Sequence, residues 1–214
     1  GVMLIISISE AKKLFGIKND IIYVYTVLLW IAAYFYPKPE DLVFIVAIAY
    51  ASQLAYKRKL DKKMILPLLY PTASFVFLIS LYSEFGVMVL FWLLIIVAAT
   101  DTGAYFAGKT FGRTPFCETS PNKTLEGVVG GMIFAVIMGI FTSINEVGIL
   151  GAIIVSAIVS LSSVFGDLYE SYLKREAGVK DSGNILPGHG GVLDRVDGYL
   201  FGAIVMLVLL RIII

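Results

Sequence analysis

Between Asp167 and Asp197 the chain gathers Asp167, Asp194 and Asp197, four cations (Lys174, Arg175, Lys180 and Arg195) and its only histidine, His189. Asp194 and Asp197 stand three residues apart, so a helix starting there puts both carboxylates on one face. Hard oxygen ligands without cysteine or paired histidine suit Mg2+, which takes one or two carboxylates and completes its shell with water and substrate phosphates. The cations are natural partners for those phosphates, arginine as a fork and lysine as a point charge. The run Pro187-Gly-His-Gly-Gly191 can turn tightly enough to aim backbone N–H groups at an anion. Carboxylates for a metal beside cations for phosphate point to phosphoryl or nucleotidyl transfer. Neither a P-loop pattern nor a dinucleotide-binding fingerprint occurs, so a soluble nucleotide-binding fold is not expected.

Two further groups of residues fit the same chemistry. Asp101 lies inside the apolar stretch Ala98–Gly108, seven residues from its polar end, or ~10 Å of helical rise. A carboxylate there is costly in hydrocarbon and by default faces a wet, functional cavity, the alternative being a structural ion pair with a neighbouring helix. The connection Ser120-Pro-Asn-Lys-Thr-Leu-Glu-Gly127 brings Asn122 and Lys123 to a glycine-rich helix start, and a positive helix N-terminus beside a lysine suits a phosphate. Glycines 127, 130 and 131 read as places where helices approach closely. Lys174 and Arg175 could also serve simply as anchors at the membrane surface. His189 could orient a phosphate, accept a proton or stabilise the glycine turn.

The elements that must position these groups are membrane spans. Of the 214 residues, 58% are hydrophobic and 15% charged, and the mean hydropathy is +0.88, which no soluble core can hide. Seven stretches are candidates to cross a bilayer, at approximately 21–36, 42–56, 64–82, 86–108, 127–144, 148–166 and 198–214. They lack the alternation of barrel strands and must be helical. Fifteen of the seventeen Lys and Arg fall in segments 1–20, 57–63, 109–126 and 167–197, which predicts that these face the cytoplasm of a multi-pass cell-membrane protein. A net charge of +1 gives no pointer to nucleic acid as a partner. The single Cys117 excludes an intrachain disulfide and reads as structurally bland. The chain opens at Gly1 without a basic region or cleavage site, and it is expected to be a piece lacking earlier spans.

The run S-x-L-K-R-x4-K-D-x4-L-P-G-H-G-G-x-L-D-R-x-D from Ser171 to Asp197 resembles the signature of the phosphatidate cytidylyltransferases, or CDP-diacylglycerol synthases. The segments Asp101-Thr-Gly-Ala-Tyr and Ser120-Pro-Asn-Lys-Thr-x-Glu-Gly resemble the same family, so the likeness covers roughly residues 95–214. It implies transfer of CMP from CTP to phosphatidic acid in phospholipid biosynthesis, giving CDP-diacylglycerol and pyrophosphate. It also implies dependence on Mg2+, a second cation for which K+ is a candidate, and a homodimer. Asp167, Asp194 and Asp197 would hold metal and act in catalysis with Lys174 and His189. Asp101, Asn122, Lys123, Arg175, Lys180 and Arg195 would contact substrate.

The expected architecture is an all-α polytopic bundle of about seven transmembrane helices, one transmembrane domain over 1–214 with N-terminal spans over 1–95 and a catalytic half over 96–214. A secondary transporter would share the intramembrane carboxylate but should show two repeated halves, which are not found. A scaffold for anionic lipid explains the basic loops and not the carboxylates beside them. A lipid-alcohol kinase would need the same nucleotide and metal, and the HGG-x-L-D-R-x-D ending favours the cytidylyltransferase.

Overall fold

The computed structural model describes residues 1–57, 61–185, 188 and 190–214. The apolar stretches fold as α1 (Val2–Leu14), α2 (Ile21–Phe35), α3 (Pro39–Lys57), α4 (Ile65–Pro67), α5 (Ser74–Phe85), α6 (Val87–Phe111), α7 (Leu125–Thr142), α8 (Gly148–Glu176) and α9 (Leu193–Ile213). Among the described residues, five helical runs are long and apolar enough to cross a membrane: Lys62–Phe85, Val87–Phe111, Leu125–Thr142, Asn145–Glu176 and Leu193–Ile213. The protein is therefore an all-α, multi-pass membrane protein. Helices α2 and α3 stand where the first two of the seven spans were expected, α2 with only 15 residues. The first crossing run is not straight. Tyr70, at φ −142° and ψ 115°, leaves the helical region because the proline that follows it crowds that conformation.

Contacts group the chain into two compact units, Gly1–Ser80 with Leu173–Arg195, and Leu81–Tyr172 with Val196–Ile214. In the second unit, α6 and α7 meet through residues with almost no side chain. A Cβ on Gly131 would stand 2.6 Å from the Thr100 carbonyl, and one on Gly130 would stand 2.3 Å from the Ala107 Cβ. The glycines at 127, 130 and 131 therefore serve close packing, as small residues do where van der Waals contact must hold helices together in lipid. On its outer side α7 exposes Ile133, Ile137 and Phe141 at spacings of four, an apolar stripe suited to hydrocarbon.

Helix α9 closes on α8 in the same way. A Cβ on Gly166 would lie 2.5 Å from the Asp197 carbonyl, and one on Gly198 would press on Val97 and Ser163. Between α6 and α8 the Thr100 hydroxyl lies 2.8 Å from the Ser160 Oγ and 2.8 Å from the Ile96 carbonyl that accepts from it, so neither buried hydroxyl is stranded.

Helix α8 runs ten residues past Gly166, the limit that hydropathy suggests, so Asp167, Ser171, Lys174 and Arg175 are helical. Leucine, glutamate, lysine and arginine are good helix formers whether or not lipid surrounds them. The helix stops where Gly178 takes φ 70°. There the Gly178 N–H donates to the Arg175 carbonyl and the Val179 N–H to that of Lys174, a Schellman closure.

In the first unit, Leu29 and Ala33 of α2, Val43 of α3, Ala73 and Val76 form one apolar cluster. The Ser80 hydroxyl donates to the buried Glu40 carboxylate at 2.5 Å, tying α5 to the start of α3. Helix α1 ends in a second Schellman turn at Gly16, whose φ is 68°. The ammonium of Lys12 pairs with Asp20 and lies 4.8 Å from the centre of the Tyr23 ring.

The α6–α7 contact leaves no room for a methyl group. Gly131→Ala should lower stability by about 1–3 kcal/mol through overpacking, whereas Ile133→Ala on the outer stripe should change it little. Thermal unfolding of the purified variants in detergent measures both.

Candidate active site

A cavity of about 530 Å3 opens in the second unit, lined by parts of α6, α7, α8 and the hairpin between α6 and α7. Asp101, Asn122, Lys123 and Asp167, four of the expected site residues, all face it. Helix α6 continues three residues past Gly108, so Asp101 lies ten residues from its end, or ~15 Å of rise. It opens onto this cavity and is solvent-accessible.

Lys123 bonds Asp167 at 2.5 Å, and the Ser171 hydroxyl reaches the other oxygen of Asp167 at 3.3 Å. The pair is only partly buried: Lys123 is 26% exposed and Asp167 37%. A site open to that degree leaves both side chains able to exchange partners when an anion arrives.

The hairpin that presents Lys123 is fixed by backbone and carboxylate together. The Phe116 N–H donates to the Lys123 carbonyl at 2.8 Å, and the Leu125 N–H donates to that of Thr114 at 2.9 Å. Glu126 then accepts from the N–H groups of Arg113 and Thr114, each at 3.1 Å, and from the Thr114 hydroxyl at 2.8 Å. The Thr124 hydroxyl caps α7 by accepting from the Gly127 N–H at 3.1 Å. Phe116 and Cys117 pack on Val128, Val164 and Leu168, which gives the lone cysteine an ordinary packing role.

Asp197 belongs to the same unit. Its backbone rests on Gly166, the residue before Asp167, and its carboxylate accepts from the Gly198 N–H at 2.7 Å. Glycine at 166 thus brings two of the three expected catalytic carboxylates to adjoining positions on α8 and α9.

Asp194 belongs to the first unit, where it gathers four donors. Lys174 donates to its Oδ1 at 2.7 Å. Its Oδ2 receives the Gly191 N–H at 2.7 Å, the Ser182 hydroxyl at 2.9 Å and the Ser182 N–H at 3.0 Å. Both partners of the ion pair are close to buried, Lys174 12% and Asp194 10% exposed. Arg175 donates to the Val179 carbonyl at 3.3 Å. Arg175, Lys180 and Arg195 are exposed, and His189 lies outside the described residues.

Several participants escape a reading of the sequence. Lys109 and Tyr105 join Asp101 on the cavity wall at spacings of four along α6, with the Lys109 ammonium 5.8 Å from the centre of the Tyr105 ring. Helical spacing from Asp101 alone could have found them. Glu126 stands in the run before α7 that the sequence singles out, but its partner Thr114 lies twelve residues earlier and gives no local signal. Glu10 on α1 accepts from the N–H groups of Val192 and Leu193, at 3.0 and 2.8 Å, at the start of α9, with nothing in the sequence to connect them.

The cavity offers carboxylate, amide and hydroxyl oxygens, a donor set that fits Mg2+. Among the described residues no group of three or more His, Cys, Asp or Glu side chains could hold a metal ion by itself.

Spans built on glycine contacts, with an intramembrane carboxylate and a lysine–carboxylate pair at one opening, define a membrane protein equipped for polar chemistry. The profile of the Cytidylyltransferase family matches residues 2–213. A phosphatidate cytidylyltransferase of Helicobacter pylori strain J99 is 50% identical over 204 residues, covering 94% of this chain and 77% of the relative. That of strain 26695 is 48% identical over 202 residues, covering 93% and 76%. The phosphatidate cytidylyltransferase of Bacillus subtilis is 44% identical over 122 residues, covering 55% and 45%. The chain belongs to the cytidylyltransferase family.

Removing Asp194 takes one acceptor away from Lys174, Ser182 and Gly191 at once. Asp194→Ala should therefore cost about 3–5 kcal/mol, more than Lys174→Met, which leaves Asp194 with its three uncharged donors. Comparison of the unfolding midpoints checks the order.

Proposed function

We propose that the protein is a phosphatidate cytidylyltransferase that transfers CMP from CTP to phosphatidic acid at the membrane surface. The observation that carries the reading is the open cavity in which Lys123 holds Asp167 beside Asp101, in a chain about half identical to enzymes of that name. A phosphate oxygen of phosphatidate attacks the α-phosphorus of CTP. The bond from that phosphorus to the oxygen bridging the α- and β-phosphates breaks, and pyrophosphate leaves. The attacking phosphate is largely ionised near neutral pH, its second pKa being about 6, so no strong general base is needed.

The chain's own residues supply charge and position. Lys123 exchanges Asp167 for a phosphate of CTP, and Asn122 and Lys109 at the cavity wall hold that phosphate in place. In the first unit, Asp194 fixes the Lys174 ammonium so that it meets phosphate without searching for a conformation. Arg175, Lys180 and Arg195 lower the cost of gathering anions, and His189 orients a phosphate or takes its remaining proton.

Asp167 and Asp101 would hold Mg2+ in the cavity, and Asp197, on the turn of α9 against Gly166, is a further candidate ligand. Bound there, the ion would neutralise phosphate charge and make the α-phosphorus more open to attack. Asp194 is the third ligand expected from the sequence; to hold a cation it would exchange one of the four donors it gathers. A second cation such as K+, and pairing of two chains as a homodimer, complete the proposal. The positive-inside distribution supports a cavity facing the cytoplasm, where CTP is available, with the chain in the inner membrane of a bacterial cell.

Purified protein in detergent, given labelled CTP, Mg2+ and phosphatidic acid, should yield a liponucleotide and pyrophosphate. Asp167→Asn and Lys123→Ala should each lower the rate roughly 100-fold or more. Chelation of divalent ions should abolish turnover and added Mg2+ restore it. Transfer of the γ-phosphate to a lipid would show the kinase alternative to be correct instead.

A further inference from the structure

Glu10 on α1 is a fully enclosed carboxylate whose hydrogen bonds lead to a candidate substrate contact. It is 1% exposed. A carboxylate loses its hydration when buried and persists only where donors replace the water. Its Oε1 receives the Val192 N–H at 3.0 Å and its Oε2 the Leu193 N–H at 2.8 Å. Those groups are the residue before α9 and its first residue, at the end where a helix has N–H donors with no partner of its own and the positive end of its dipole. One side chain from α1 thus resolves the needs of an element more than 180 residues away.

The contact continues inward. The Ser182 hydroxyl lies 3.4 Å from Glu10 Oε2 and 2.9 Å from Asp194 Oδ2. Asp194 in turn holds Lys174 at 2.7 Å. The backbone is fitted to the carboxylate as well: a Cβ on Gly183 would stand 2.4 Å from Glu10 Oε1, and one on Gly191 would stand 2.6 Å from it. Any shift of Glu10 must therefore move the Ser182–Gly183 turn or the start of α9, and both carry donors to Asp194.

We propose that Glu10 is a positioning residue that holds the start of α9, and through Ser182 and Asp194 the ammonium of Lys174, in place for the phosphates of CTP. The inference rests on the assignment of Lys174 as a phosphate contact. It makes α1 part of the catalytic apparatus although it touches no substrate.

The test uses the full chain in lipid nanodiscs, with Glu10→Gln, which keeps one acceptor oxygen, and Glu10→Ala, which keeps none. The KM for CTP should rise in the order wild type, Gln, Ala, by on the order of tenfold at the end of the series, with the KM for phosphatidic acid nearly unchanged. Hydrogen exchange should accelerate on the order of tenfold in peptides from Ser182 to Leu193 and stay unchanged in peptides from α6 and α7. A purely structural cap would instead lower the amount of folded enzyme and leave the KM for CTP as it was.

Should the Glu10 variants not fold, Gly183→Ala presses on the same carboxylate without removing it, and it should raise the KM for CTP in the same way. Folded variants with wild-type KM for CTP and wild-type exchange overturn the proposal. A wild-type chain that makes no liponucleotide overturns the functional assignment, while the exchange measurement still decides whether Glu10 holds the segment.

Discussion

The approach of α6 to α7 is the constraint on which the second unit depends. Two helices whose facing residues are Thr100, Gly103, Ala104 and Ala107 on one side and Gly127, Gly130 and Gly131 on the other come together until backbone meets backbone. That closeness has a chemical use. It brings the Asp101 face of α6 and the hairpin before α7 to the walls of one cavity, and the cap at Thr124 and the clamp at Glu126 then fix where Lys123 emerges. Larger residues at this contact would separate the intramembrane carboxylate from the lysine.

The polar segments follow a different rule, in which carboxylates organise the backbone. Glu126 gathers the N–H groups of Arg113 and Thr114, Asp194 those of Ser182 and Gly191, and Glu10 those of Val192 and Leu193. A carboxylate can accept several bonds at once, and bonds to an ionised acceptor are stronger than neutral ones. Short irregular stretches at a membrane surface can therefore be made definite without a large apolar core. Glu84 does the corresponding work elsewhere in the second unit, accepting from the Arg211 guanidinium at 2.9 Å.

Much of this was legible in the sequence because membrane solvation leaves a strong pattern. Apolar runs located the five crossing helices, while two more of the seven expected, at 21–36 and 42–56, form helices that do not meet the length and hydropathy of a span; the cost of a carboxylate in hydrocarbon singled out Asp101 before any geometry was known. Asn122, Lys123 and Asp167 were legible as polar chemistry at span ends, and the structure places them with Asp101 on one cavity. Helix limits were less legible: hydropathy reports where lipid must be crossed, and it is silent on how far a helix continues into water, as α8 does to Glu176. Glu10 was invisible for another reason. Its partners are backbone N–H groups, which every residue but proline carries, so no residue type at the far end announces the contact.

The glycine face of α7 also changes what kind of object that helix is. Its inward surface is nearly bare peptide, so its neighbours read carbonyl positions and curvature and hardly any side chains. Ile133, Ile137 and Phe141 look outward, toward hydrocarbon that asks only for oiliness. The two faces therefore store information in opposite ways: the lipid side tolerates many spellings, and the protein side is specified by what must be missing. A helix of this kind is recognised by its neighbours as a shape, and only by the bilayer as a sequence.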